Sequence, residues 1–277
     1  MDQDGFDDKR SIAYDQLEAI PFFSLSDNLK LSARYQKTFF RFDTFKDFSG
    51  DQPRIDIEYL PNIRLSLKGF FSYPVYQRIN EENANFGFGA SYAFDHGLEA
   101  SAGYHREDLW ENVNTLLSNV YFDRFFIGGR YLNDRFHLDG LASFSYYSDD
   151  NTRPFFKLRG SYDLMRFPTI LKAIIDYEFF DFRKETFYFS PDNYSLVAPY
   201  FQWRHYLNKD FFHEADEIYY DLLGGFRMDS MGNFYTDFRA EARYEWRQRL
   251  EVGLRAQFID SDVYREQRVV FSVAFRF

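Results

Sequence analysis

The sequence has no cysteine, which removes a disulfide scaffold, a thiolate metal site and a cysteine nucleophile together. Long apolar runs are missing as well. A spanning helix needs about 20 consecutive apolar residues, and the most apolar short stretch, Ile170 to Ile175, is interrupted by Lys172. Excess positive charge is also absent: 33 Lys and Arg stand against 43 Asp and Glu, a formal net charge of -10, with a pI near 5.1. Nucleic-acid binding calls for a basic stripe, so no nucleic acid is expected as a partner. Residues 1–10, MDQDGFDDKR, are acidic and polar and lack the apolar centre of a secretory leader. If the protein is exported, the chain is expected to be a mature or shortened form.

Aromatic residues are what the chain has in abundance. Its 36 Phe, 22 Tyr and 3 Trp make up 22% of 277 residues, while the mean hydropathy is only -0.51. That much ring surface can order itself, which excludes disorder. The rings recur with a period of two. Leu250, Val252, Leu254, Ala256 and Phe258 alternate with Glu251, Gly253, Arg255 and Gln257, and Phe238, Ala240, Ala242, Tyr244 and Trp246 alternate with Asp237, Arg239, Glu241, Arg243 and Glu245. Phe86 to Phe94 and Phe136 to Phe144 repeat the pattern. Each stretch is a strand with one apolar and one polar face.

The alternating segments run to about ten residues, the length a strand needs to cross a bilayer. Tyr59, Tyr92, Tyr104, Tyr131, Tyr162, Tyr244 and Trp246 fall near turns, where an interfacial aromatic girdle belongs. The expected fold is therefore all-β, a transmembrane antiparallel up-and-down barrel in a single domain over residues 1–277, placed in a Gram-negative outer membrane. Short turns are predicted near Asp27, Asn62, His96, Asn133, Phe167, Lys209 and Gln248. Longer outer loops are predicted over 44–52, 74–84, 106–115, 147–153, 182–193, 228–233 and 260–265. Counting back from Phe277 gives about 15 strands of a barrel of about 16, with either a first strand lying upstream or a hairpin miscounted. The stretch 112–132 reads as one long strand in which a hairpin at Asp123-Arg124 is an alternative.

Setting Phe277 toward lipid assigns the opposite parity to the interior. Inner candidates for a polymer path are Asp176, Glu178, Asp221, Arg227, Asp237, Arg239, Glu241, Arg243 and Arg255, together with Tyr147, Tyr219 and Tyr235. Placing such charges on the lipid face would cost about 2 to 4 kcal/mol for each Lys or Arg at mid-bilayer. Two readings of the inner set stay open: ladders that brace the wall, or a lining on which rings stack against sugars and charges bind hydroxyls. The acidic excess lies mostly in the loops and reads either as solvation, with divalent ions bridging to lipopolysaccharide, or as attraction for a cationic, amino-sugar-containing cargo.

No catalytic constellation emerges, and neither enzyme activity nor a cofactor is expected. His213-Glu214-Ala215-Asp216-Glu217 is the densest acid and histidine cluster, yet it lacks a second histidine at i+4, so no metal is expected. Gly87, Gly89, Gly224 and Gly225 fall inside strands and form no phosphate loop.

Tyr146-Tyr147-Ser148-Asp149-Asp150-Asn151 is followed by Phe187-Tyr188-Phe189-Ser190-Pro191-Asp192-Asn193-Tyr194, then Val197-Ala198-Pro199, and the chain ends Val273-Ala274-Phe275-Arg276-Phe277. This pattern resembles the C-terminal barrels of the exopolysaccharide export porins for poly-N-acetylglucosamine, Pel and cellulose. The aromatic-Ser-Pro-x-x-Tyr element (Tyr188, Ser190, Pro191, Tyr194) is its most specific part. The resemblance implies a 16-stranded porin translocating an exopolysaccharide. It also implies a preceding periplasmic tetratricopeptide-repeat region that guides polymer from the synthase complex. The terminal Phe277 looks like the signal read by the outer-membrane assembly machinery. Expected partners are therefore outer-membrane lipid and lipopolysaccharide, a polysaccharide cargo, that periplasmic region or synthase, and the assembly machinery. An alternative function is a surface receptor or adhesin barrel with no export role.

Overall fold

The computed structural model describes residues 13–19, 22–26, 28–41, 48–77, 83–109, 115, 118–186, 188–207, 217–246, 250–260 and 265–275. The strand segments are β1 (Ala13–Ala19), β2 (Phe22–Ser26), β3 (Leu29–Arg41), β4 (Phe48–Asn62), β5 (Leu65–Ser72), β6 (Val75–Tyr76), β7 (Asn85–Ala93), β8 (Leu98–Asp108) and β9 (Tyr121–Leu132). They continue as β10 (Phe136–Tyr147), β11 (Thr152–Met165), β12 (Thr169–Phe180), β13 (Tyr194–Tyr206), β14 (Glu217–Asp229), β15 (Phe234–Trp246), β16 (Leu250–Asp260) and β17 (Arg265–Phe275). β1 and β2 both pair with β3, and β5 and β6 both pair with β4. The 17 segments thus form 15 staves, the number read from the sequence. Every ladder is antiparallel and joins neighbours along the chain. Among the described residues no ladder joins β17 to β1 or β2.

Burial along the staves is inverted relative to a water-soluble protein. Phe238 is 49% exposed while Asp237 beside it is 2% exposed, and Ile175 is 55% exposed beside Asp176 at 8%. Phe88, Phe125, Ile127, Phe201, Trp203, Phe226, Leu254, Val269 and Phe271 continue the exposed apolar surface around the wall. An apolar area of this extent is incompatible with water. Lipid around the staves and charge within them is the construction of outer-membrane barrels.

The two ends of the wall differ. At one end the described connections are tight: residues 63–64, 94–97, 133–135 and 166–168. In the second of these, His96 and Gly97 take positive φ values of 63° and 74°, and a Cβ at Gly97 would strike the carbonyl of Leu132, so this turn requires glycine. Tyr59, Tyr92, Tyr131, Tyr162 and Tyr244 stand exposed on the outer face near this end, forming the expected girdle. Tyr104 shares that face but sits toward the opposite end with its hydroxyl on Asp123, and the Trp246 side chain lies outside the described residues.

Several boundaries differ from those expected. Residues 118–120 precede β9 outside the strand, residues 112–114, 116 and 117 lie outside the described residues, and Asp123-Arg124 lies inside the continuous strand β9, with no hairpin there. The predicted long loops 147–153 and 228–233 shrink to 148–151 and 230–233, because Tyr146 pairs with Thr152 and Met228 with Phe234. The turns predicted at Lys209 and Gln248 lie outside the described residues.

Candidate functional site

The inner face is built by register. Lys157 lies opposite Glu178 and Arg159 opposite Asp176 on β11 and β12, and both pairs close into salt bridges, the second at 2.9 Å. Arg204 faces Asp221 across β13 and β14; their bridge is 2.7 Å and Gln202 adds a donor at 2.6 Å. Glu241 faces Arg255 across β15 and β16 at 2.7 Å. Diagonal contacts link Arg227 to Asp237 and Arg243 to Glu251. Asp237 also accepts from the Tyr200 hydroxyl at 3.1 Å and Gln257 Nε2 at 3.3 Å. A buried carboxylate needs this density of donors to remain charged.

The inner tyrosines are held in the same fabric. Tyr219 is buried, receives a bond from Arg243 Nη1 at 3.3 Å, and lies under the Arg204 guanidinium. Tyr235 donates to Asp229 Oδ2 at 3.0 Å, a carboxylate that also takes the Tyr194 hydroxyl and Asn233 Nδ2. Arg239 points to the same face with no carboxylate within 4.0 Å among the described residues. Register therefore brings together Asp176, Glu178, Asp221, Arg227, Asp237, Arg239, Glu241, Arg243, Arg255, Tyr219 and Tyr235 on one wall.

Tyr147 is placed differently from a sugar-facing ring. It is 5% exposed, because the connection from Asp181 to Asn193 turns inward and covers it. Tyr188 stacks on it with centroids 5.6 Å apart and 22° between planes, and Phe182 packs at 5.5 Å. Val120, Phe122, Phe180 and Tyr194 complete the cluster. The segment predicted as an exposed outer loop is thus an inward-folded aromatic shelf on residues of the inner face. Sequence could not reveal this, since an irregular segment has no periodicity to fix the direction in which its rings point.

Polar bonds hold the shelf. Asn151, 1% exposed, donates from Nδ2 to the Lys184 carbonyl at 2.9 Å and to the Tyr188 hydroxyl at 3.0 Å. Its Oδ1 accepts from the backbone N–H groups of Lys184 and Thr152 at 3.0 and 2.9 Å. Ser190 Oγ accepts from the Thr186 amide at 2.7 Å and donates to the Tyr188 carbonyl at 3.0 Å. The Pro191 carbonyl accepts from the Phe182 amide at 3.3 Å, and the Asn193 amide donates to Asp181 Oδ1 at 3.0 Å. Burial pushes the Tyr188 phenol up, while a hydrogen bond with Asp181 raises the Asp192 carboxyl. Tyr188, Ser190, Pro191 and Tyr194 therefore share one folded unit that Asn151 anchors.

Among the described residues there is no group of three or more metal-ligating side chains; residues 213–216 and Phe277 lie outside them.

An exposed apolar belt, a charged inner face and antiparallel staves joined in chain order define an outer-membrane β-barrel. Among solved structures the chain is similar to a bacterial polysaccharide outer membrane secretin: 18% identity, 95% of this chain and 91% of that chain covered, TM-score 0.76. Two structures of the Vibrio cholerae outer-membrane protein OmpT also align at 10% identity. The loop L8 deletion mutant covers 97% of this chain and 99% of its own (TM-score 0.49), and the outer-membrane expressed form covers 96% and 95% (TM-score 0.42); these likenesses are too low to carry an argument. No protein-family model and no curated protein matches the sequence.

Proposed function

We propose that the chain is a non-enzymatic outer-membrane porin that translocates an exopolysaccharide to the cell surface. The observation that carries this reading is the inner wall: rows of donors and acceptors, with an aromatic shelf built from the aromatic-Ser-Pro-x-x-Tyr element packed on its inner face. A barrel of about 16 strands is wide enough for an aqueous interior. Rings beside hydroxyl-binding charges suit a hydrated sugar chain, which offers apolar faces and polar edges. The similarity to a polysaccharide outer membrane secretin supports the same reading.

The finer expectation of a cationic, amino-sugar polymer rests on the acidity of the loops. Lipid and lipopolysaccharide around the belt, a periplasmic tetratricopeptide-repeat region or synthase, and the assembly machinery complete the proposed set of partners. Planar-bilayer recording tests the function. The purified chain should form ohmic channels whose current falls when oligosaccharide is added on one side. A chain that inserts but never conducts would overturn the reading.

A further inference from the structure

Most cations on the inner wall from β11 to β16 are matched: Lys157 with Glu178, Arg159 with Asp176, Lys172 with Asp163, Arg204 with Asp221, Arg227 with Asp237 and Arg255 with Glu241. Two neighbouring arginines near the shelf are not. Among the described residues neither Arg124 nor Arg153 has a carboxylate within 4.0 Å. Arg124 lies opposite Ser145 across β9 and β10, and Ser145 lies opposite Arg153 across β10 and β11. Two guanidinium groups therefore flank one fully buried serine in a single cross-strand row. They lie within electrostatic range of each other, and like charges so placed repel.

Their contacts are one hydroxyl and the faces of rings. Arg124 makes one hydrogen bond among the described residues, Nε to Ser145 Oγ at 3.2 Å, and its guanidinium lies 4.7 Å from the Phe122 ring. Arg153 is surrounded by the rings of Tyr147, Phe155, Phe180 and Phe182 at 5.4 to 5.9 Å. An aromatic face attracts the cation, yet the five N–H groups of a guanidinium need acceptors in its plane. The Arg153 Nε is buried without one. His105 stands opposite Arg124 on β8, and Glu107, 3.9 Å from His105 Nε2, interacts with Arg124 only from beyond salt-bridge range. Arg239 also lacks a carboxylate, but its register partners are Gln257 and Leu223, so no second cation lies beside it.

We propose that Arg124 and Arg153, held side by side across the buried Ser145, form a subsite for a carboxylate-bearing sugar residue of the translocated polymer, an assignment that rests on the export reading. A carboxylate offers two oxygens to guanidinium forks and relieves the repulsion between the arginines. The wall thus selects the charge opposite to the one that the acidic loops would attract.

The test is calorimetric titration of the detergent-solubilised chain with oligogalacturonate, a malto-oligosaccharide of equal length, and inorganic phosphate. Oligogalacturonate is expected to bind most tightly, and Arg124→Gln/Arg153→Gln to weaken it at least about tenfold, the loss of one charge-assisted bond, while leaving malto-oligosaccharide binding alone. Unchanged affinity in the double variant overturns the assignment, as does inorganic phosphate binding as tightly as the oligomer. If the double variant does not fold, Arg153→Lys decides, since it keeps the charge and loses the fork; roughly threefold weakening is expected, and wild-type affinity overturns the subsite. The readout needs no current. A chain that binds oligogalacturonate through these arginines but never conducts sinks only the pore reading, whereas one that conducts and binds only neutral sugars sinks only the subsite.

Discussion

Tyr188 stacks on Tyr147 at 5.6 Å with 22° between the ring planes, joining a connecting segment to the inner wall of the barrel. Tyr188 is 2% exposed. Replacing it with alanine removes a buried ring and should destabilise the shelf by about 3 kcal/mol. In bilayers Tyr188→Ala should show a higher single-channel conductance than the parent protein. An unchanged conductance would mean that the shelf does not narrow the passage.

Asn151 ties the same segment down from the other side, through both its donors and its acceptor. Asn151→Asp keeps the shape and loses the NH2 group, leaving the Lys184 carbonyl without its donor and setting a carboxylate against it. A loss of about 1 to 3 kcal/mol follows. Trypsin should then cleave after Lys184 faster than in the parent protein, with the rest of the wall resistant.

The Tyr188 phenol gives the shelf a pH dependence. Burial raises it above its ordinary value of 10.0, so the protonated form is favoured in the folded segment. The contribution is full below pH 10 and is lost as the pH rises through the higher folded value. Ultraviolet titration should count one late-ionising phenol fewer in Tyr188→Phe than in the parent, and cleavage after Lys184 should accelerate only on the alkaline side.

Asp237 is the acceptor shared by Arg227, Tyr200 and Gln257. Asp237→Ala leaves the partly buried Arg227 guanidinium and the buried Tyr200 hydroxyl without their acceptor and should cost about 1 to 3 kcal/mol. Refolding into lipid vesicles, followed by electrophoretic mobility with and without heating, should show a lowered unfolding midpoint. Loss comparable to that of an exposed ion pair would contradict the burial.

Phe238, next along the same strand, faces the other way. Phe238→Arg should cost about 2 to 4 kcal/mol if it lies at mid-bilayer and reduce the yield of folded barrel in vesicles, whereas Arg239→Gln should fold normally. Equal yields would mean that this face does not meet lipid.

Alternation made the wall legible before its structure was known. Asp237, Arg239, Glu241 and Arg243 could be separated from Phe238, Ala240, Ala242 and Tyr244 because successive side chains of a strand point to opposite faces. What remained hidden depends on pairing between distant strands or on irregular backbone. The loops at 147–153 and 228–233 read long because polar residues there continue the strands, and only the pairing of Tyr146 with Thr152 and of Met228 with Phe234 shows how far the ladders extend. Tyr147 carries the parity of the interior, and nothing in its own strand announces that Tyr188 covers it. The isolation of Arg124 and Arg153 was equally invisible, since it consists of carboxylates that register does not bring to them.

The ladders also dictate how the wall can be built. Each stave pairs with its neighbours along the chain, from Leu29–Arg41 against Phe48–Asn62 through Leu250–Asp260 against Arg265–Phe275. Loop-closure entropy rises with the length of chain between pairing partners, so each addition here carries only the small penalty of a hairpin. A sheet of this kind can grow one stave at a time from either side, each new strand satisfying the open edge left by the one before it.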